Sequence, residues 1–260
     1  MNRVDKRKVA AAFSRQAHQY DDHAALQRRV VARLLARIEA VAPTPSSALD
    51  VGTGTGSVVD ALLARHPGLL AAGVDLAHGM VREARQRSGP RHVVGDAEAL
   101  PFASGTFDVV ASASAYQWME ELRPAFAEAR RVLAPGGWFA CALFGGDTLV
   151  ELRAAWRSAQ HRADADRTHA FFTRAQVEAA LTGAGFASAT VTVERTVEHH
   201  RDVPALLRTL KRIGAGNAAP GSGGGLADRR LLLRASEAYE RLRDERGLPA
   251  TWDVVYVSAR

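Results

Sequence analysis

The segment Ala48-Leu49-Asp50-Val51-Gly52-Thr53-Gly54-Thr55-Gly56 decides how the rest of this chain is read. It runs as a short buried strand ending in an acid, passes into a glycine-rich turn, and gives way to a helical pattern near Ser57. Glycine tolerates backbone angles that other residues avoid, and it lets a ligand approach the main chain. The helix N-terminus beyond such a turn presents free N–H groups and the positive end of a dipole. The pattern marks a ligand site at the edge of an open α/β sheet, unless the turn is a tight connection that binds nothing.

A dinucleotide site expects G-x-G-x-x-G, with an acid about twenty residues further on. Here the spacing is G-x-G-x-G, with Asp50 shortly before the first glycine. A carboxylate aimed at a pyrophosphate would repel it, whereas it would welcome an ammonium group. The segment resembles motif I of class I S-adenosylmethionine-dependent methyltransferases, where the glycine turn passes the methionine part of the cofactor.

Four further segments follow in order. Leu69–Asp75 reads as a second buried strand, and its terminal Asp75 is placed to accept both ribose hydroxyls, or to cap the helix after Leu76. Val93-Val94-Gly95-Asp96-Ala97 matches the family's Gly-Asp-Ala segment, whose Asp reaches the adenine amino group. Phe107–Ser112 is a near-continuous apolar run, as in a central parallel strand. At Val132–Phe139 a helix stops, a Pro135-Gly136-Gly137 turn follows, and a fifth strand begins. The resemblance implies S-adenosylmethionine as cofactor and a Rossmann-like α/β sheet of seven strands, the last antiparallel. A nicotinamide enzyme has no reason to reproduce the last three segments. The candidate cofactor-binding residues are Gln27, Asp50, Gly52, Thr53, Gly54, Asp75, Leu76, Asp96, Ala97 and Ser112.

Composition agrees with an enzyme built on one sizeable core: 260 residues, 47% hydrophobic and 24% charged. No apolar run approaches the roughly 18 residues that span a membrane. Met1–Arg15 is basic and lacks the apolar stretch of a signal peptide, so a cytoplasmic setting is expected. The one cysteine, Cys141, excludes an internal disulfide or a cysteine-rich metal site, and no metal is expected. The net charge of +6 comes almost wholly from arginine, the only lysines being Lys6, Lys8 and Lys211. Such a surface suits an acidic partner, but no run of like charge resembles a nucleic-acid arm. A monomer is expected.

The chain divides into a helical N-terminal arm (1–45), a cofactor-binding core (46–147), a helical lid or insertion with one strand (148–225), and a C-terminal helix and last strand that complete the core (226–260). Helices are predicted over 5–17, 23–41, 148–161, 203–213 and about 227–246, strands over 188–198 and 252–258. Another helix opens at Thr173 with the spacing of a capping box to Gln176. A glycine-rich loop is expected at 214–225.

Substrate class must come from outside the cofactor motifs. After the fourth strand the chain reads Ser114-Ala115-Tyr116-Gln117-Trp118-Met119, apolar and aromatic with a single amide. That differs from the Asn/Asp-Pro-Pro-Tyr motif of nucleic-acid and protein amino-methyltransferases. Tyr116 and Trp118 are candidates for a dry substrate wall. Lys8–Arg15 with Tyr20-Asp21 and Leu26-Gln27, Tyr116-Gln117-Trp118, Thr148–Leu152 and Leu210-Lys211-x-Ile213-Gly214-Ala215 together resemble the malonyl-acyl-carrier-protein O-methyltransferases of biotin synthesis. The resemblance implies methylation of the free carboxylate of a malonyl group on acyl carrier protein. Such a carboxylate needs no base, and a cation would recognise it, with Arg153, Arg208 and Lys211 as candidates. Tyr20 and Gln27 would cap the cofactor carboxylate or the substrate. Tyr20, Tyr116, Trp118, Arg153 and Lys211 form the candidate catalytic set. Two rivals are a methyltransferase acting on a quinone or natural-product hydroxyl, which would need a base near Tyr116, and a cofactor-binding partner protein without turnover.

Overall fold

A computed structural model describes residues 5–20, 25–159, 171–212 and 226–260. Asp21, Ile213-Gly214-Ala215 and the loop expected at 214–225 lie outside the described residues. Seven strands form one sheet: β1 (Ser47–Val51), β2 (Leu70–Asp75), β3 (His92–Val94), β4 (Phe107–Ala113), β5 (Leu133–Phe144), β6 (Ala189–His200) and β7 (Leu248–Ala259). Their order is β3-β2-β1-β4-β5-β7-β6. The first five are parallel, and β7 runs antiparallel to both β5 and β6. The Rossmann-like class of sheet expected from the sequence is therefore present, with its reversed last strand.

The crossover helices are α3 (Ser57–Arg65), α4 (His78–Ser88) and α5 (Leu122–Val132). They cover the sheet because Val58, Val59 and Leu62 of α3, and Phe126 and Ala129 of α5, turn apolar faces inward. The arm supplies α1 (Lys6–Gln16) and α2 (Ala25–Val41), with Leu34, Leu35 and Ile38 buried against β1 and β4 residues. Beyond β5 come α6 (Val150–Ala159), α7 (Arg174–Gly183), α8 (Val203–Arg212) and α9 (Leu226–Glu240). Helix α7 starts with the expected capping box between Thr173 and Gln176. It is built into the sheet's own core through Val177 and Leu181, beside Phe186 and Val191. The stretch 148–225 thus contributes to the sheet as well as to the cleft below.

Three boundaries differ from expectation, the first being that α9 ends at Glu240 and not near 246. The Pro135-Gly136-Gly137 segment does not separate a helix from a later strand. It lies inside β5, where pairing with β4 shifts register between Phe107 and Val109 and Gly136 takes φ +79°. The last strand begins at Leu248 and not at Trp252, because its partner β6 extends to His200.

Candidate functional site

The glycine turn leaves β1 at the sheet's centre, with φ of +71°, +55° and +89° at Gly52, Gly54 and Gly56. Val74 of β2 fixes it by accepting N–H bonds from Gly52 (2.8 Å) and Thr53 (3.0 Å). A Cβ on Gly52 would lie 2.1 Å from the Cβ of Ala115, whereas one on Gly54 would meet nothing within 4 Å. Gly52 lets the turn touch the loop after β4, and Gly54 leaves main chain open toward the cleft. Asp75, at the end of β2, joins the two turns: one oxygen accepts the Gly54 N–H and the other the Ala77 N–H, both at 2.8 Å. The helix cap proper is Ala77, so Asp75 acts on the turn and not as the N-cap.

These turns floor a cleft of about 780 Å³, counted with its space open to solvent. Gly52, Gly54, Asp75, Leu76, Asp96 and Ala97 line it, as do Tyr20 and Trp118. Its roof is α1, through Lys6, Val9, Ala10 and Phe13. The roof helix sits close because α4 has a glycine beneath it. A Cβ on Gly79 would fall 2.5 Å from the Ser14 carbonyl oxygen, and the Gly79 N–H donates to Ser14 Oγ at 3.2 Å. Phe13 meets Trp118 edge-on at 5.8 Å and Tyr20 at 6.3 Å. Lys6 Nζ reaches the two carboxylate oxygens of Asp96 at 2.9 and 2.8 Å and Glu98 at 2.8 Å. Burial alone would lower the Lys6 pKa, but its bonds to Asp96 and Glu98 outweigh that and raise it.

A second lobe of about 390 Å³ shares Phe13, Tyr20, Ser114 and Trp118 with the first. Phe144, Leu149, Phe171 and Trp252 give it apolar walls, with Gln27 and Gln117 as its amides. Two of its residues, Ser114 (φ 60°) and Leu149 (φ 54°), hold left-handed backbone, which non-glycine residues rarely adopt. The buried indole N–H of Trp252 and the Oε1 of Gln27 meet no hydrogen-bond partner among the described residues.

Acidity is concentrated beneath the turn. Asp50 is 1% exposed, and neither of its oxygens accepts a hydrogen bond among the described residues. Burial and the charge of Asp75 push its pKa up to about 7, with Thr53 pulling the other way. Burial also raises Asp75, against the N–H bonds from Ala77 and Gly54.

Not every sequence candidate reaches the cleft. Tyr116 is corrected from pocket wall to core: it is fully buried, edge-on to Phe126 (5.1 Å) and Phe139 (5.8 Å), and desolvation raises its pKa well above the ordinary value. Ser112 is enclosed within β4, because alternate strand residues face opposite ways and Ala113 takes the cleft side. Thr53 is buried beside Asp50, with glycines on either side of it exposed to the cleft. Arg153 donates to the Gly146 carbonyl, and Arg208 lies 3.9 Å from Asp202; neither lines either lobe. Lys211 is in α8, its side chain outside the described residues. Lys6, Phe144, Leu149, Phe171 and Trp252 were absent from the candidate set. Lys6 had one signal, the scarcity of lysine, and Leu149 another, its place in the Thr148–Leu152 segment; the others had none beyond being apolar.

The floor fits S-adenosylmethionine: an open main-chain cradle at Gly54, an acid at the end of β2 and a second at Asp96, with a buried carboxylate beneath. Among the described residues no group of three or more His, Cys, Asp or Glu is arranged to hold a metal, and no helix is long and apolar enough to cross a membrane.

Residues 49–141 match the family model described as a methyltransferase domain. A Geobacter sulfurreducens protein named malonyl-acyl-carrier-protein O-methyltransferase is 50% identical over 97% of this chain and 98% of its own length. One of the same name from Laribacter hongkongensis is 39% identical over 97% of this chain and 88% of its own. Among solved structures, a Thermotoga maritima S-adenosylmethionine-dependent methyltransferase, a possible histamine N-methyltransferase, superposes with a TM-score of 0.57 at 16% identity, covering 96% of this chain and 98% of that one. Haemonchus contortus phosphoethanolamine N-methyltransferase 2, in complex with S-adenosylmethionine, gives 0.55 at 21% identity over 87% of this chain and 51% of that one. The structural likenesses show the fold; the sequence relatives show the family.

Proposed function

The chain belongs to the malonyl-acyl-carrier-protein O-methyltransferase family, and from that membership we propose how its two-lobed cleft performs the reaction. It is an S-adenosylmethionine-dependent methyltransferase that esterifies the free carboxylate of a malonyl thioester on acyl carrier protein, early in biotin synthesis. The observation that carries this division of labour is the second lobe, apolar and continuous with the cofactor lobe through Phe13, Tyr20, Ser114 and Trp118.

Bound in the first lobe, S-adenosylmethionine supplies a methyl group on a cationic sulfur. Gly54 main chain, Asp75 and Asp96 would hold it, above the buried Asp50. The acceptor carboxylate is ionised at neutral pH, with an ordinary pKa of about 4, so no base is required. No histidine lines either lobe among the described residues. What the chain supplies is orientation and exclusion of water. Opposite charges on a sulfonium donor and a carboxylate acceptor would cancel in the transfer, so the aromatic walls from Phe13, Trp118, Phe144, Phe171 and Trp252 would favour the less polar transition state over the ion pair.

The expected cation at the carboxylate has no candidate among the described residues of the second lobe. Neutral donors, the side-chain NH2 of Gln27 and the Trp252 indole N–H, orient the carboxylate and leave its charge on the attacking oxygen. The basic surface receives the acidic carrier protein. The protein works as a monomer in the cytoplasm, with neither nucleic acid nor membrane as partner. Methyl transfer from labelled cofactor, compared across malonyl carrier protein, a malonyl thioester and a phenol, tests the reading. Label enters the malonyl acceptors; label entering the phenol alone would point to the quinone or natural-product alternative.

A further inference from the structure

We propose that Lys6 is a positioning residue of the cofactor lobe, whose ammonium fastens the roof helix α1 to Asp96 and Glu98 so that each cofactor exchange must break the fastening. The inference rests on the cofactor reading above.

Lys6 begins α1 and stands 90 residues from Asp96, so the contact joins the arm to the far side of the cleft. Its Nζ lies 2.9 and 2.8 Å from the Asp96 oxygens and 2.8 Å from Glu98, with all three side chains only about a third exposed or less (29–34%). The acids belong to one tight turn after β3, closed by the Ala99 N–H on the Asp96 carbonyl (3.0 Å). The Glu98 N–H also donates to Asp96 Oδ1 at 3.0 Å.

A carboxylate offers about four lone-pair sites. Lys6 and the Glu98 N–H engage Oδ1, and Lys6 engages Oδ2, so acceptor capacity remains on Oδ2 for an amino group. Once an amino-bearing ring is in place, Lys6 can therefore close again onto Asp96 beside it. It holds the Asp96 carboxylate in one orientation and keeps α1 closed above it. The other end of α1 is tied by Ser14 to Gly79, and its middle by Phe13 to Trp118. With both ends tied, a ligand under α1 is enclosed along the length of the helix. Opening the Ser14 end breaks one weak neutral bond, whereas opening the Lys6 end separates one cation from two anions. The ion contact therefore sets the slower step.

The test is stopped-flow release of S-adenosylhomocysteine from the whole protein, chased with excess S-adenosylmethionine and followed by tryptophan fluorescence. Lys6→Met is expected to release it roughly ten-fold faster, the worth of one partly buried charged contact. Glu98→Gln, which leaves the Asp96 half of the contact, falls between the two. Lys6→Arg restores slow release. Added salt speeds the parent protein and leaves Lys6→Met unchanged. Release from Lys6→Met at the parent rate, or from Lys6→Arg as fast as from Lys6→Met, overturns the fastening; should Lys6→Met not fold, parent-like release from Glu98→Gln does the same. If the parent binds no S-adenosylhomocysteine by calorimetry, the cofactor reading itself falls, a result distinct from binding with unaltered release.

Discussion

Replacing Asp75 with Asn separates its two duties. Each carboxylate oxygen accepts one backbone N–H at 2.8 Å, from Gly54 and from Ala77. An amide keeps one acceptor and turns an NH2 toward the other donor, leaving an enclosed N–H unmatched at about 1–3 kcal/mol. Burial raises the Asp75 pKa, so the neutral amide recovers part of this by avoiding the desolvation of a charge. The net loss of stability should be about 1–2 kcal/mol, or roughly 2–4 °C in melting temperature per kcal/mol for a chain of this size. Binding should suffer more. Hydrogen bonds to a charged group are worth about 1.5–3 kcal/mol each, and Asn forfeits the charge on both ribose contacts and the acceptor on one. A loss of about 2–4 kcal/mol corresponds to a roughly 30- to 1,000-fold weaker Kd at 1.4 kcal/mol per decade. Calorimetry with S-adenosylhomocysteine gives the Kd, and thermal unfolding of the ligand-free protein gives the stability. A lower melting temperature with unchanged Kd would mean that Asp75 serves only the turns, and the cofactor role would be refuted.

Four other outcomes are expected. Gly79→Ala places a methyl 2.5 Å from the Ser14 carbonyl, which pushes α1 off the cleft; calorimetry should show weaker cofactor binding, and melting temperature should fall, since the about 1 kcal/mol that Ala gains over Gly in helix propensity does not offset a clash with main chain. Asp50, at about 7 in the fold against an ordinary 3.8, holds a proton that the unfolded chain gives up, so its contribution to stability is lost as pH rises from 3.8 to about 7. Asp50→Asn should therefore gain on the parent across that window, on the order of 1 kcal/mol per pH unit in denaturant titrations. Trp252→Phe and Gln27→Leu should raise KM for malonyl carrier protein roughly ten-fold or more, with cofactor Kd unchanged, the cost of losing a hydrogen bond to a charged acceptor. Tyr116→Phe removes a buried hydroxyl that meets no partner among the described residues, so steady-state turnover and melting temperature should match the parent; a large fall in turnover would return Tyr116 to the site.

The cofactor lobe was legible because its chemistry is local. Glycines with positive φ, an acid ending β2 and another after β3 are fixed by short-range turn geometry, and their spacing survives in one dimension. Facing direction was harder. Tyr116 and Trp118 share one three-residue 3-10 turn, yet one is sealed in the core and the other lines both lobes. So short a turn has no periodicity from which to choose a face. Ser112 failed by the parity of a single strand residue, and Thr53 by pointing below a turn whose glycines face up. The second lobe was legible only in part: Tyr20, Gln27 and Trp118 were candidates, whereas Leu149, Phe171 and Trp252 come from separate parts of the chain that only the folded sheet brings together. Lys6 belongs with these, its partners lying beyond β3.

Intact-protein mass spectrometry of carrier proteins incubated with enzyme and S-adenosylmethionine tests the central claim most directly. Malonyl carrier protein should gain the mass of one methyl group, and acetyl carrier protein, which lacks the free carboxylate, should gain none. Equal methylation of both, or of neither, would contradict the carboxylate as the acceptor.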